Sequence, residues 1–264
     1  MLLIYRHQAI LDMLSDKGMV RPSELMKLFE TSFETIRKDL LYLEKKGYLT
    51  RVHGGAVPIT AVSGDFALNL PMPESFLKRH SNHLEQKRSI ARAACGYVKE
   101  GMCIAIDTGT TSYELSLMLM KQFEHLVIVT NSMLNAMVLS HKKTFNVIVT
   151  GGIISSGEQA LVSDLALLLL DHVNIDIMFL TTCGISPETG VAEQSLEEIK
   201  VHKKMAEQAS HLMILADSSK FSKKAFFHIY GLDEIECIIT DEGLPDSEWE
   251  IYRSRGVEVR RTKE

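Results

Sequence analysis

Five short segments carry the residue types that could bind a small polar ligand. They are Asp107-Thr108-Gly109-Thr110-Thr111, Thr130-Asn131-Ser132, Thr150-Gly151-Gly152, Thr181-Thr182-Cys183-Gly184 and Asp217-Ser218-Ser219-Lys220. Each follows a short apolar run that reads as a strand, and each is small, hydroxylated or rich in glycine. In open α/β sheets, ligands bind beyond the carboxyl ends of the strands. The stretch DTGTTS runs directly into a helical pattern, so its backbone N–H groups and the positive end of the helix dipole would favour an anion. Gly109 would allow close backbone approach, Thr110 and Thr111 would add hydroxyl donors, and Lys220 is the one cation among these strand ends. One such loop is an ordinary strand-to-helix turn. Five together predict a pocket for a phosphorylated polyol or sugar, formed by Asp107, Thr108, Gly109, Thr110, Thr111, Thr130, Asn131, Ser132, Gly151, Gly152 and Lys220.

A second group lies near the amino terminus, in SFETIRKDL at 32–40. Ser32 sits where a helix cap belongs. Phe33, Ile36, Leu40 and Leu43 recur at helical spacing on one face. Glu34, Lys38, Tyr42 and Lys45 point away from it, with Thr35 and Arg37 on the flanks. By itself, a charged face opposite an apolar stripe is a solvated surface. Its neighbours change that reading. Upstream, 3–16 reads as an amphipathic helix with Leu3, Ile10, Leu11 and Leu14 inward, stopped by Gly18. Pro22 opens a second helix, with Leu25, Leu28 and Phe29 inward. Downstream, Tyr48–Val52 is a strand, His53-Gly54-Gly55 its turn and Ala56-Val57 the return. Helix, turn, helix and a glycine-tipped hairpin predict a winged helix-turn-helix, whose second helix enters the DNA major groove. Ser32, Thr35, Arg37, Lys38 and Tyr42 then become candidate contacts to double-stranded DNA, with Arg51 and His53 on the wing. Asp39, at the edge of the apolar stripe, is expected to orient Arg37, Lys38 or Arg51.

These elements divide the chain into a winged helix-turn-helix at 1–57, a linker at 58–85 and an α/β domain at 86–264. The linker holds Pro58, Pro71 and Pro73 and little periodicity. Beyond it, helical patterns at 86–99, 112–121, 132–140, 160–171, 194–209 and about 246–255 separate apolar runs at 102–106, 126–130, 146–150, 175–180, 211–216, 236–240 and 257–260. Continuous apolar strands between helices predict a mainly parallel sheet.

The 264 residues carry a net charge of −5. Residues 1–57 hold nine Lys/Arg against seven Asp/Glu, a charge of +2, which leaves −7 for the remainder. A mildly basic amino-terminal module on an acidic larger domain fits a small anion-facing unit. Few prolines and 45% hydrophobic residues exclude bulk disorder. LALLLL at 165–170 is too short to span a bilayer. MLLIYRHQAILDML lacks the order of a secretion signal, so a cytoplasmic location and no membrane partner are expected. Four scattered cysteines without a CxxC pair imply free thiols. His80 and His83 have no carboxylate or cysteine placed to complete a metal site, and no metal or other cofactor is expected. No Walker A loop, G-x-G-x-x-G or G-x-S-x-G motif occurs. A single winged helix offers few DNA contacts, so a homo-oligomer held by the larger domain is expected.

The chain resembles the DeoR-type transcriptional regulators of bacterial sugar metabolism. The resemblance rests on SELMKLFETSFETIRKDLLYLEKKGYLTRVHGGA at 23–56, IDTGTTS at 106–112, VTNS at 129–132, TGG at 150–152 and LADSSKF at 215–221. It implies a repressor of a sugar-utilisation operon controlled by a phosphorylated sugar. It also implies an effector domain similar in fold to pentose-phosphate isomerases and aminosugar-phosphate deaminases. Lys38 stands where the family commonly has Arg, Thr182-Cys183 where many members have Ala-Asp, and Asp164 where glycine is frequent. The alternative is a sugar-phosphate isomerase or deaminase with an attached DNA-binding module. The related enzymes supply acids from the loop that here reads Thr181-Thr182-Cys183-Gly184-Ile185, where no acid stands. Asp107, Glu193 and Asp217 are the nearby carboxylates, and no catalytic residue is assigned.

Overall fold

The computed structural model describes residues 3–45, 48–52, 54–58, 72–155 and 157–262. The chain forms two compact units, Met1–Asn82 and His83–Glu264. The first contains α1 (Leu3–Lys17), α2 (Pro22–Phe29), α3 (Phe33–Lys45), the hairpin β1 (Leu49–Val52) and β2 (Gly55–Pro58), and α4 (Glu74–Ser81). Ile10, Leu14, Leu25, Ile36, Leu40, Leu43 and Leu49 build its core. Val20 exchanges two backbone hydrogen bonds of 2.9 Å with Ala56, which ties the α1–α2 connection to the wing. A Cβ on Gly55 would meet the Val20 carbonyl oxygen at 2.3 Å, so this close approach requires glycine. Glu30 takes a left-handed conformation (φ 48°) and ends α2, as the turn between the paired helices needs.

The inward set differs from the sequence expectation at two positions. Leu28 and Phe33 are exposed, while Met26 and Phe29 pack against the core. Both misplaced residues sit beside the inter-helix turn, where the change in chain direction shifts the buried stripe. Asp39 also differs. It is buried and faces α1, where its carboxylate accepts from Arg6 Nε at 2.6 Å and Arg6 Nη2 at 3.0 Å and lies 2.9 Å from His7 Nε2. It orients neither Arg37, Lys38 nor Arg51. The stretch read as linker contains α4, which buries Phe76.

The second unit is built on a seven-stranded parallel sheet of order β14-β13-β11-β8-β3-β4-β5. Its strands are β3 (Cys103–Ile106), β4 (Val127–Thr130), β5 (Asn146–Val149), β8 (Ile175–Thr181), β11 (Ala209–Leu215), β13 (Cys237–Thr240) and β14 (Glu258–Arg261). The central strands are buried almost throughout, as covered parallel strands are. The helices are α5 (Leu84–Cys95), α6 (Thr110–Gln122), α7 (Met133–Leu139), α8 (Asp164–Leu170), α9 (Leu196–Glu207) and α10 (Asp246–Ser254). From β3 the chain proceeds outward to β4 and β5. It then returns to β8, on the other side of β3, and proceeds outward to β14. Strand order therefore reverses between β3 and β8.

Two small sheets complete the unit. β9 (Gly184–Ser186), β10 (Gly190–Glu193) and β12 (Phe227–Tyr230) form an antiparallel sheet that periodicity did not reveal, because its strands are only three or four residues long. β6 (Ile153–Ser155) and β7 (Ala160–Val162) form a hairpin where the sequence pattern started a helix at 160. Ala160–Val162 continues the apolar run of the helix, so periodicity has no break to detect. The break is chemical, since Ser163 Oγ accepts the Leu165 N–H at 3.2 Å and caps α8.

The Arg6–Asp39 pair generates a stability prediction. Burial acts to raise the Asp39 pKa. Hydrogen bonds from Arg6, then His7, outweigh it and hold the carboxyl below its ordinary value. A depressed acid contributes stability that is present above its unfolded pKa and is lost as pH falls through the lower folded value. Asp39→Asn should destabilise the amino-terminal unit by about 1.5–3 kcal/mol at neutral pH, the scale of hydrogen bonds to charged groups. The deficit should shrink on acidification below the usual aspartate range. Calorimetry from pH 7 to pH 2.5 reads both, and an unchanged melting profile at pH 7 would remove Asp39 from the list of stabilising groups.

Candidate functional site

The first candidate surface is the outward side of α3. Ser32 Oγ accepts the Thr35 N–H at 3.3 Å and lies 3.0 Å from Thr35 Oγ1, so the cap and the threonine hydroxyl are coupled. Arg37, Lys38 and Tyr42 are exposed. The Arg37 guanidinium donates twice to Glu34, at 2.9 and 2.8 Å, which presents it as a flat fork on the first turns of the helix. Tyr42 stacks on His7, with ring centroids 5.0 Å apart. On the wing, Arg51 donates through Nε to Glu44 at 2.7 Å, and its backbone N–H bonds the same carboxylate at 2.9 Å. Glu44, not Asp39, thus links the wing to α3. His53 lies outside the described residues.

The second candidate site lies where the strand order reverses, at the carboxyl ends of β3 and β8, the position such sheets reserve for ligands. The Asp107 carboxylate is buried there. It accepts from the Thr181 N–H at 2.8 Å, from Thr181 Oγ1 at 2.7 Å and from Ser112 Oγ. Its main-chain oxygen accepts from Asn135 Nδ2 at 2.8 Å. A Cβ on Gly109 would meet Thr181 Oγ1 at 2.4 Å, so glycine is what lets the DTGTTS loop close on β8. Thr110 opens α6 immediately after it. The first N–H groups of a helix have no intrahelical acceptor, and those of α6 follow directly on this loop.

Thr108 Oγ1 donates to Glu198 Oε2 at 3.1 Å. Asp107, Glu193 and Glu198 form a buried acidic group. Burial, with hydrogen bonds from Ser112 and Thr181 opposing it and Glu198 adding to it, pushes Asp107 up to about 7. Burial, followed by the Asp107 charge, pushes Glu193 up to about 8. Among the described residues, no group of three or more His, Cys, Asp or Glu side chains is arranged to hold a metal ion.

The other expected residues take different parts. Thr130 Oγ1 accepts the Ser132 N–H at 3.1 Å, and Ser132 Oγ caps α7 through Asn135 N at 3.2 Å. Asn131 is fully buried, and neither atom of its amide has a hydrogen-bond partner; the Asn135 Oδ1 and Thr150 Oγ1 atoms are likewise unpaired. Unpaired buried polar atoms thus lie after β4, on α7 and after β5, among others elsewhere in the unit. Gly151 and Gly152 have φ values of 74° and 114° and turn the chain into the β6–β7 hairpin. Lys220 is partly exposed on a short 3₁₀ turn, Ser218–Lys220. Asp217 accepts from the Ser219 N–H at 3.1 Å and shapes that turn. Asp241 anchors it through the Ser218 N–H at 2.6 Å.

Thr181 was read within a strand-end segment but not placed in the pocket, and Asn135 and Glu198 were not singled out by the sequence. Asn135 looks like an ordinary helix residue until β3 and α7 meet. Glu198 has a sequence signal with another meaning. Ser195-x-x-Glu198 reads as a helix capping box, and Ser195 does accept the Glu198 N–H at 3.3 Å. The glutamate side chain, however, turns to Thr108.

A winged helix-turn-helix unit followed by a parallel α/β unit with a crevice at its reversal point defines a DNA-binding regulator with a sensor domain. Residues 6–62 match the DeoR-like helix-turn-helix domain, and residues 82–242 match the DeoR C-terminal sensor domain. The chain belongs to the DeoR family of transcriptional regulators. It is 31% identical to a putative aga operon transcriptional repressor of Escherichia coli O157:H7, over 96% of this chain and 92% of that one. It is 33% identical to the L-fucose operon activator of Haemophilus influenzae, over 92% and 94%. A ribose-5-phosphate isomerase structure aligns with 52% of this chain and 54% of its own, at 17% identity and a TM-score of 0.41. Among the described residues no helix is long and apolar enough to cross a membrane.

The acidic group makes stability pH-dependent with a definite sign. An acid whose folded pKa is raised contributes stability that is full below its unfolded pKa and is lost as pH rises through the folded value. For Glu193 that window runs from its ordinary value of 4.5 to about 8. Glu193→Gln should match the wild type at pH 4.5 and melt at a higher temperature at pH 8.5. Thermal denaturation across that range measures it. A variant that is less stable at both ends would show that Glu193 is held as a needed carboxylate.

Proposed function

We propose that α3 and the wing bind a double-stranded DNA operator and that a phosphorylated sugar or polyol in the β3–β8 crevice controls that binding, most simply as a repressor of a sugar-utilisation operon. The observation that carries the effector assignment is the start of α6 at the point of strand reversal. Gly109 lets the loop close on Thr181, and the first turn of α6, whose N–H groups lack intrahelical acceptors, follows at once. Lys220, on the neighbouring β11 end, adds charge. Buried amide and hydroxyl groups at the β4 and β5 ends offer partners for ligand hydroxyls. The relatives named for an aga operon repressor and an L-fucose operon activator support carbohydrate control. The protein acts as a homo-oligomer in the cytoplasm, since winged helices usually read symmetric operators in pairs.

The enzyme alternative is less favoured by the geometry. Isomerisation needs a carboxylate base free to reach a carbon-bound proton. Asp107 is occupied by three donors, and Asp217 by its own turn.

Two experiments test the proposal. A duplex selected by the wild-type protein from a randomised library serves as the operator probe. Replacing Arg37 and Lys38 together by Ala should weaken binding to it by about ten- to a hundredfold, as loss of base and phosphate contacts does, with the fold retained. Equal affinity would take the operator contact away from α3.

Effector binding is read by thermal shift with aldose, ketose and polyol phosphates, each paired with its unphosphorylated parent. Lys220→Met should weaken the best phosphate ligand by about ten- to a hundredfold, the scale of one charge-assisted contact, and leave effector-free DNA binding intact. No member of the panel should be turned over. Equal binding of a parent sugar and its phosphate would displace the phosphate site from this crevice.

A further inference from the structure

The segment DLALLLL forms α8, and it is apolar on every side. Ala166 and Leu170 are buried on one face, while Leu165, Leu168 and Leu169 recur at i, i+3 and i+4 on the other. Leu165 and Leu168 are 66% and 63% exposed. A helix hydrophobic all round belongs in an interior. The adjoining β6 strand repeats the pattern, with Ile153 70% exposed and Ile154 55%. Leu196, at the start of α9, is exposed as well. A cleft of about 520 Å³ runs between these elements, with Ile153, Ile154, Asp164, Glu197 and Lys200 on its walls.

We infer that this face, α8 with the β6–β7 hairpin and the first turn of α9, is where two copies of the chain join, and this rests on the homo-oligomer reading above. Two features of the face select a second copy as the occupant. The first is area. The six exposed apolar side chains present on the order of 600 Å², the upper end of what a monomer leaves uncovered. With a polar rim, this reaches the roughly 800 Å² per partner of a stable interface. The second is charge. The rim carries both signs, Asp164 and Glu197 against Lys200. The Lys200–Asp164 pair within one chain is loose, 3.7 Å apart, and both side chains are largely exposed. In a two-fold contact the same patch meets itself, so Lys200 of each copy can face the acids of the other.

The test uses the full-length chain in sedimentation velocity at micromolar concentration. Wild type should sediment as a dimer or larger. Replacing Leu165 and Leu168 together by Glu should weaken self-association by roughly a hundredfold, as loss of central interface anchors does, while circular dichroism and the effector thermal shift are retained. Because that variant could misfold, the exposed Lys200 supplies a second test. Lys200→Glu should weaken association, and adding Asp164→Lys and Glu197→Lys should restore it. A monomeric wild type would overturn the oligomer reading itself. An oligomeric wild type whose folded L165E/L168E variant stays oligomeric, or whose K200E variant associates normally, would overturn this interface alone.

Discussion

At the reversal of the sheet, one carboxylate joins the two directions of the chain. Asp107 ends β3, and its side chain takes both the N–H and the hydroxyl of Thr181 at the end of β8. The parallel sheet grows outward from this seam on both sides, to β5 and to β14. Ser112, one turn into α6, bonds the same carboxylate and so sets the angle at which the helix leaves the sheet. Asn135 reaches the Asp107 main chain from α7. A single buried acid thus positions two strands and two helices around the crevice.

Such an acid is costly to bury as an anion, and the surroundings divide that cost. Burial, with the charge of neighbouring Glu198, opposes the ionised form of Asp107, while three donors favour it. The balance places the protonation of Asp107 and Glu193 close to neutrality. On the effector reading proposed above, the α6 terminus and Lys220 would take the anion, and the buried acids and amides would take ligand hydroxyls.

The amino-terminal unit applies the same economy to another purpose. Arg6, His7 and Asp39 tie α1 to the inner side of α3, so the helix is held by charges as well as by Ile36, Leu40 and Leu43. Its outer side is left to Thr35, Arg37 and Lys38. Glu34 and Glu44 hold Arg37 and Arg51 in place while partly neutralising them.

Helical spacing, Pro22, Ser32 and the His53-Gly54-Gly55 tip determined the winged helix-turn-helix, because its signals are local caps, turns and a single apolar stripe. Alternating apolar runs and helices determined the parallel sheet, and DTGTTS marked a loop at the carboxyl end of one of its strands. Local pattern could not supply partners distant in the chain. Asp39 looked like an organiser of its own helix, yet its partners are 33 and 32 residues away on α1. Glu198 carried no sign of a distant partner, yet it meets Thr108 across 90 residues. The β6–β7 hairpin hid in an apolar run, and the three-stranded side sheet hid in strands too short to show a period. Tertiary structure alone decided which buried acids lie together, which glycine must be bare, and which leucines of LALLLL face outward. Each depends on a second segment brought close by the fold, and side-chain period records only which face a residue occupies, never what it will meet there.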